Sequence, residues 1–397
     1  MVNSANPAPI WEKEASAFRR TCMLLITYEC NLNCTYCYEH HKCNKKMSFD
    51  IARSLILKEC DIVRNSKIFK ELEIDLMGGE PMMNFELVKQ LVEWSESAAL
   101  PVPFVFFLTT NGTLFTEERK QWFRQHAKTI AAGVSYDGTA EMQTANRGTD
   151  INSIDLDFFH ETWPSESFHM TISKESLPHL AKGVLSIQRR GYDMNAALAQ
   201  GIEWNEQDAN VYYNELMKLS DEYITDSTLK PLGVLTRYLK LADSSQINAP
   251  QEKYCGTGTH MVAYDVDGTA YGCHIFTPIV MGDKATPAKD INWTCRASTD
   301  DPFCSECIFK NICHTCSGFN LKYRGNLATR DKSWCRMIYV QNLAACEFQL
   351  RVLAARKSAF SQRDAQYAKV ALETYQILKT FPFNACAPFT IVKKERR

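Results

Sequence analysis

The chain has 397 residues, 45% of them hydrophobic, and a formal net charge of −1. This length allows a sizeable core and more than one domain, the near-zero charge excludes a broad nucleic-acid surface, and no apolar run reaches membrane-spanning length. Sixteen cysteines would fit a secreted disulfide scaffold, but the start Met1-Val2-Asn3-Ser4-Ala5-Asn6-Pro7 has neither the basic end nor the apolar core of a signal peptide, so a cytoplasmic, reducing setting is expected.

A strand is expected over Cys22 to Thr27, followed at once by Cys30, Cys34 and Cys37 at CxxxCxxC spacing. Three thiolates on one short loop can hold three irons of a 4Fe-4S cluster and leave the fourth open. The bland alternatives are structural zinc, which wants four closed ligands, or unrelated buried thiols. After a helix over Phe49 to Val63, the alternation Leu72, Ile74, Leu76 runs into Met77-Gly78-Gly79-Glu80-Pro81. Alone this is a turn; beside a ligand the glycines permit close backbone approach. A helix over Asn84 to Ser97 precedes a strand Phe104 to Leu108 that ends in Thr109-Thr110-Asn111-Gly112-Thr113. A helix over Glu117 to His126 precedes a strand Ile130 to Val134 that ends in Ser135-Tyr136-Asp137-Gly138, with Arg147 twelve residues past Ser135. Strands Phe168 to Ile172 and Asn195 to Ile202 flank a helix over Leu177 to Arg190. This alternation predicts an α/β fold, a partial (β/α)6 TIM-like barrel with its helices outside. The motifs then fall on loops at the carboxyl ends of the strands.

A second constellation follows: Cys255, Gly268, Cys273, then Cys304-Ser305-Glu306-Cys307, Cys313-His314-Thr315-Cys316 and Cys335. Zinc is the competing reading, but the two pairs lie five residues apart, far closer than the zinc-ribbon gap of about 15 to 20. Cys22, Cys43, Cys60, Cys295, Cys346 and Cys386 fall outside both patterns. Most are expected to be buried small hydrophobes, with Cys43 or Cys295 able to donate a hydrogen atom if near a cluster. The basic tail Lys393-Lys394-Glu395-Arg396-Arg397 reads as a solvated end, and Arg351 to Leu378 as one or two helices without chemistry of their own.

The triplet, the GGEP run and the TNGT loop resemble the radical SAM superfamily, and the seven later cysteines resemble its C-terminal SPASM extension. The resemblance spans roughly residues 22 to 345. It implies S-adenosyl-L-methionine and three 4Fe-4S clusters as cofactors. Cys30, Cys34 and Cys37 would hold the first cluster, Cys255, Cys273 and Cys316 one auxiliary cluster, and Cys304, Cys307, Cys313 and Cys335 the other. Two residues separate Cys313 from Cys316 where three are usual, and no fourth cysteine serves the Cys255 group, which leaves an open iron or a ligand such as His260. Gly78, Gly79, Glu80 and Asn111 would lie in the methionine site. Ser135 and Arg147 would contact the cofactor's sugar and carboxylate, and Asp137 would accept from a ribose hydroxyl or close an Asp-Gly turn. His274 stands where sulfatase maturases carry an aspartate that takes a substrate proton. A histidine there can act as a general base or be structural.

The expected domains are an N-terminal extension 1–21, a radical SAM barrel with linker helices 22–250, a SPASM domain 251–345 and a helical segment 346–397. Twenty-one residues are too few for a winged-helix leader-binding domain, so leader recognition by a separate protein, by the barrel surface, or none at all, is expected. The implied activity is that of a peptide-modifying radical SAM oxidoreductase: hydrogen abstraction from a ribosomal peptide, followed by oxidative formation of a thioether or carbon–carbon crosslink. An electron donor such as flavodoxin or ferredoxin would serve it, with no nucleic-acid or membrane partner. The alternatives are a peptide epimerase, a sulfatase-maturase-like oxidase, a radical SAM enzyme acting on a small molecule, or a non-catalytic iron-sulfur electron carrier.

Overall fold

The computed structural model describes residues 19–237, 239, 241, 255–291, 293, 301–310, 312, 313, 315–355, 362–385 and 387–390. Strands β1 (Arg19–Thr27), β2 (Glu71–Gly78), β3 (Phe104–Thr110) and β4 (Ile130–Val134) lie side by side in chain order and in parallel. Each is joined to the next by a helix: α1 (Phe49–Asn65), α2 (Phe85–Ala98) and α3 (Glu117–His126). The period of two sends Cys22, Leu24, Ile26, Leu72, Ile74 and Leu76 to the face on which these helices pack. Helix α1 meets that face with Ala52, Leu55, Ile56, Glu59, Cys60 and Val63, and the Ser48 side chain caps it by accepting from Ile51 N.

Past β4, helices α4 (Ala140–Arg147) and α5 (Leu156–Thr162) lead to β5 (Phe168–Ile172), and α6 (Leu180–Gln188) links it to its parallel partner β6 (Met194–Leu198). All six expected strands are present, yet they do not form one ladder. The β5–β6 pair is joined to β4 by a single bridge, Ser135 to His169, with Tyr136 N donating to His169 O at 2.8 Å. The last strand ends at Leu198, not at the expected Ile202, because the chain turns at Gly201, whose φ is 80°. The helix expected from Leu177 is split: Leu177–His179 forms a separate 3-10 turn containing Pro178, which has no N–H to give.

The cysteine-rich segment continues the barrel sheet. Strand β7 (Met261–Tyr264) pairs in parallel with the free edge of β1, and β8 (Ala270–Tyr271) pairs antiparallel with β7. Two tyrosine–carboxylate contacts clamp this junction. Tyr264 OH donates to Glu59 Oε1 at 2.6 Å while Arg20 Nε donates to Glu59 Oε2 at 2.5 Å, and Tyr28 OH donates to Asp265 Oδ1 at 2.5 Å. Glu59 is fully buried, so each bond to it is a hydrogen bond to a shielded charge. Tyr264→Phe is expected to lower stability by about 2 kcal/mol, read from the midpoint of urea unfolding; an unchanged midpoint would show that the clamp carries no load.

Helix α7 (Glu206–Thr225) starts from a reciprocal capping box between Asn205 and Asp208. Beyond the cysteine-rich segment come α8 (Ser317–Arg324), α9 (Trp334–Ala355) and α10 (Gln362–Leu378). The stretch expected as one or two helices thus divides between α9 and α10. A boundary at 345/346 falls inside α9, which is buried from Met337 to Cys346 and packs on α7 and α10. The boundary at 250/251 and the basic tail lie outside the described residues, and of the expected extension 1–21 only Arg19–Thr21 is described, as the start of β1.

Candidate functional site

The loop after β1 carries Cys30, Cys34 and Cys37, all half-buried. Its inner turn is closed by Cys37 N donating to Cys34 O at 3.1 Å. The loop is seated on the end of β2: Gly79 N donates to Thr27 O at 3.1 Å and Glu80 N to Glu29 O at 2.8 Å. A Cβ at Gly79 would lie 2.4 Å from Glu29 O and 3.0 Å from Cys30 Cβ, and one at Gly78, whose φ is 149°, would lie 2.1 Å from Thr27 O. The close approach that these glycines permit is therefore made by the cysteine loop itself.

Glu80 is buried and its carboxylate is held on both oxygens. Oε1 accepts from Thr110 Oγ1 at 2.7 Å and from Met82 N at 3.1 Å, and Oε2 accepts from Asn111 N at 2.8 Å. Burial raises its pKa, against the pull of these bonds. Asn111 Nδ2 then reaches the cysteine loop, donating to Asn31 Oδ1 at 2.9 Å, and Asn31 donates to Thr113 Oγ1 at 2.9 Å. The GGEP run, the TNGT loop and the triplet are thus one hydrogen-bonded unit at the carboxyl ends of β1, β2 and β3.

Asp137 and Arg147 form the next part of the rim. Asp137 is fully buried and accepts from Tyr36 OH at 2.8 Å, Asn146 Nδ2 at 3.1 Å, Arg147 Nε at 3.0 Å and Thr171 N at 3.2 Å. Arg147 also lies over the Tyr36 ring, 5.4 Å from its centre. Asp137 therefore does more than close a turn: it gathers the cysteine loop, α4 and β5 on one carboxylate. Ser135 is half-buried, its N–H donates to Thr110 O at 2.9 Å, and its hydroxyl has no partner among the described residues.

The later cysteines fall into two neighbourhoods. Cys273 is pushed up to about 12 by burial, with the Cys316 and Cys255 thiols adding to it. Cys335 is pushed up to about 12 by burial and then by Cys313, Cys304 and Cys307. Burial likewise pushes Cys30 up to about 11, opposed by Leu32 N and by the Lys42 ammonium. Thiols so held keep their protons until a metal displaces them. Among the described residues, no three His, Cys, Asp or Glu side chains converge on a point as ligands of a single ion would. The His260 ring packs over Gly256, beside Cys255.

His274 lies between two of these neighbourhoods. Its Nε2 is 3.0 Å from Tyr38 OH, and its Nδ1 has no hydrogen-bond partner. Burial lowers its pKa to about 4, so the ring is neutral near pH 7. Tyr38 senses the thiols of Cys37, Cys273 and Cys316, which places it between the triplet and the Cys273 group. A row of rings runs outward from there: Tyr38 meets Phe319 edge to face at 5.5 Å, and Phe319 stacks on the half-exposed Tyr323 at 6.0 Å. The sequence showed only scattered aromatics.

Several site residues carried no sequence signal that was read. Lys42 donates to Leu32 O at 3.2 Å and faces Cys30 and Cys37. Arg330 is a buried cation beside Cys304 and Cys313. Tyr36, in the Cys34–Cys37 interval, and Glu39, two residues past Cys37, were legible only as neighbours of the triplet. Burial pushes Glu39 up to about 8, with Lys42 opposing. Of the unassigned cysteines, Cys22, Cys60 and Cys346 are buried and Cys43 is exposed; Cys295 and Cys386 lie outside the described residues.

Residues 19–153 match the family described as "4Fe-4S single cluster domain". An uncharacterised protein of Methanocaldococcus jannaschii is 33% identical over 29% of this chain and 38% of its own length. A serine-type anaerobic sulfatase-maturating enzyme of Bacteroides thetaiotaomicron is 25% identical over 49% of this chain and 42% of its own. The matched part is thus less than half the length of these curated relatives. In fold, the chain is similar to anSMEcpe with bound AdoMet, with a TM-score of 0.64 and 15% identity over 88% of this chain and 98% of that one. It is also similar to Streptococcus suis SuiB bound to the precursor peptide SuiA, with a TM-score of 0.52 and 15% identity over 80% and 76%. The likeness to the two solved structures is one of fold, and no helix among the described residues is long and apolar enough to cross a membrane.

Proposed function

We propose that this chain is a radical SAM enzyme that abstracts hydrogen from a peptide and completes an oxidative modification, such as a thioether or carbon–carbon crosslink. The observation that carries the reading is the seating of Cys30, Cys34 and Cys37 on the Gly78–Glu80 turn and the Asn111 loop. The donor set fits a 4Fe-4S cluster: three half-buried thiols on one loop, a cation at Lys42 facing two of them, and a backbone cradle that no Cβ may fill. With cluster and S-adenosyl-L-methionine bound, the site supplies reductive cleavage to a 5'-deoxyadenosyl radical.

The chain's own residues do the rest. Glu80 fixes the turn to the Asn111 loop, leaving strand-end carbonyls to receive an ammonium group. Ser135 has a free hydroxyl on the same rim, and Arg147 is held for a carboxylate by Asp137. His274 is the candidate general base: its Nδ1 has no partner among the described residues, and burial makes the ring a weaker base than a free imidazole. Cys255, Cys273 and Cys316, and separately Cys304, Cys307, Cys313 and Cys335, would hold two auxiliary clusters able to accept the electron that an oxidative step releases. The peptide substrate rests on the likeness in fold to SuiB bound to its precursor peptide SuiA. An external electron donor follows from the reductive step. The histidine in place of the maturases' aspartate favours crosslinking over sulfatase maturation.

Anaerobic reconstitution is expected to load about twelve irons per chain, with 5'-deoxyadenosine formed from S-adenosyl-L-methionine under reduction. A Cys30/Cys34/Cys37 triple alanine variant should lose about four irons and all of that product. Retention of the product by the variant would overturn the reading; about four irons in the wild type would remove the auxiliary clusters.

A further inference from the structure

The face of the barrel strands turned away from the helices is not covered throughout. On that face Thr109 of β3 and Asn195 and Ala197 of β6 are exposed among the described residues. Strand β2 contributes Glu71, Glu73 and Asp75 to this face, by alternation with the buried Leu72, Ile74 and Leu76. One guanidinium serves the first two: Arg19 Nε donates to Glu71 at 2.6 Å and Arg19 NH1 to Glu73 at 2.8 Å.

Asp75 has no such partner. Its register neighbours are Met23 on β1 and Phe107 on β3, both apolar. Its Oδ1 is buried and makes no hydrogen bond among the described residues. Asp75 as a residue is half-buried, and its carboxyl is pushed up to about 7 by burial and then by Glu73, with no cation among the described residues opposing the shift. An unpaired carboxyl in an apolar setting costs stability. Asp75 lies three residues before Gly78, on the strand whose end holds the cysteine loop.

We propose that Asp75 is a specificity-determining residue that binds a cationic group of the substrate, the ammonium or guanidinium of a basic side chain, within the barrel lumen. This rests on the reading of the chain as a peptide-modifying enzyme. The carboxylate supplies the charge and the flat Phe107 and flexible Met23 flank the alkyl stem of the bound group. A charged partner in this setting gains a charge-assisted hydrogen bond that neutral side chains do not offer.

The test uses the reconstituted holoprotein and three fluorescently labelled, terminally blocked pentapeptides, Gly-Ala-Xaa-Ala-Gly, with Xaa lysine, arginine or norleucine. Binding is read by fluorescence polarisation and 5'-deoxyadenosine formation is followed without peptide. The lysine or the arginine peptide should bind at least about tenfold tighter than the norleucine peptide, and which of the two is preferred identifies the cation. Asp75→Asn should abolish that preference while leaving peptide-free 5'-deoxyadenosine formation unchanged. Equal binding of all three peptides, no binding by any, or a preference that survives Asp75→Asn would overturn the proposal. Loss of S-adenosyl-L-methionine cleavage by the wild type would instead overturn the enzyme reading. Independently of peptide, Asp75→Leu should raise the thermal midpoint by about 1–3 °C, since it removes an unpaired buried carboxyl; a lowered midpoint would show a structural partner and overturn the proposal.

Discussion

Asp137→Ala is expected to destabilise the chain by about 3–5 kcal/mol, the cost of leaving a buried cation without its partner. The cation is Arg147, only 6% exposed, so water cannot replace the lost carboxylate. Tyr36 OH, Asn146 Nδ2 and Thr171 N would lose an acceptor in the same step. Because Tyr36 sits between Cys34 and Cys37, the damage should reach the cysteine loop, and iron loading should fall with stability. Asp137→Asn keeps the shape and one acceptor oxygen and should cost about half as much, since only the charge-assisted part is lost. Denaturant unfolding of both variants, with iron content, checks this. Equal stability for alanine and wild type would mean that Arg147 finds another anion, and the node would not organise the rim.

Gly79→Ala should be a strongly damaging single-methyl addition. The new Cβ would lie 2.4 Å from Glu29 O and 2.8 Å from Glu29 C, both backbone atoms that cannot swing aside. Overpacking of this kind costs about 3 kcal/mol, and relief requires lifting the loop that carries Cys30. The bonds from Gly79 N to Thr27 O and from Glu80 N to Glu29 O would stretch with it. Iron per chain is expected to drop toward the level of the triple cysteine variant, with the absorption of the remaining clusters preserved. Gly148→Ala is the control, because a Cβ there meets nothing within 4 Å although its φ of 64° is strained; it should cost about 1 kcal/mol and leave iron unchanged. If Gly79→Ala kept full iron, the glycine pair would have no part in seating the loop.

The local signals read well where one strand or loop decided the outcome. The β4 and β5 bounds and those of α3 coincide with their expected ranges, because alternation and the Thr116 cap are short-range properties. The strand expected to reach Ile202 ends at Leu198, since the positive φ of Gly201 turns the chain and alternation alone does not report it. The partition of the later cysteines into two neighbourhoods was expected only through family resemblance, and their mutual influence in the fold follows the same division. Glu80, expected in the methionine site, also holds Thr110, Met82 and Asn111 on its two carboxylate oxygens, which the sequence did not show.

By itself, the order of residues determined the strand and helix alternation, the loops on which thiols, glycines and asparagine fall, and the absence of a membrane-length apolar run. These depend on spacing along the chain. Only the tertiary structure decided what those residues touch: that β7 joins the edge of β1, that Tyr38 and His274 meet although 236 positions apart, that Asp137 is shared by three elements, and that Asp75 has no cation beside it among the described residues. Such contacts are set by packing and by which buried charges find partners, and a linear sequence does not fix the distance between residues brought together by folding.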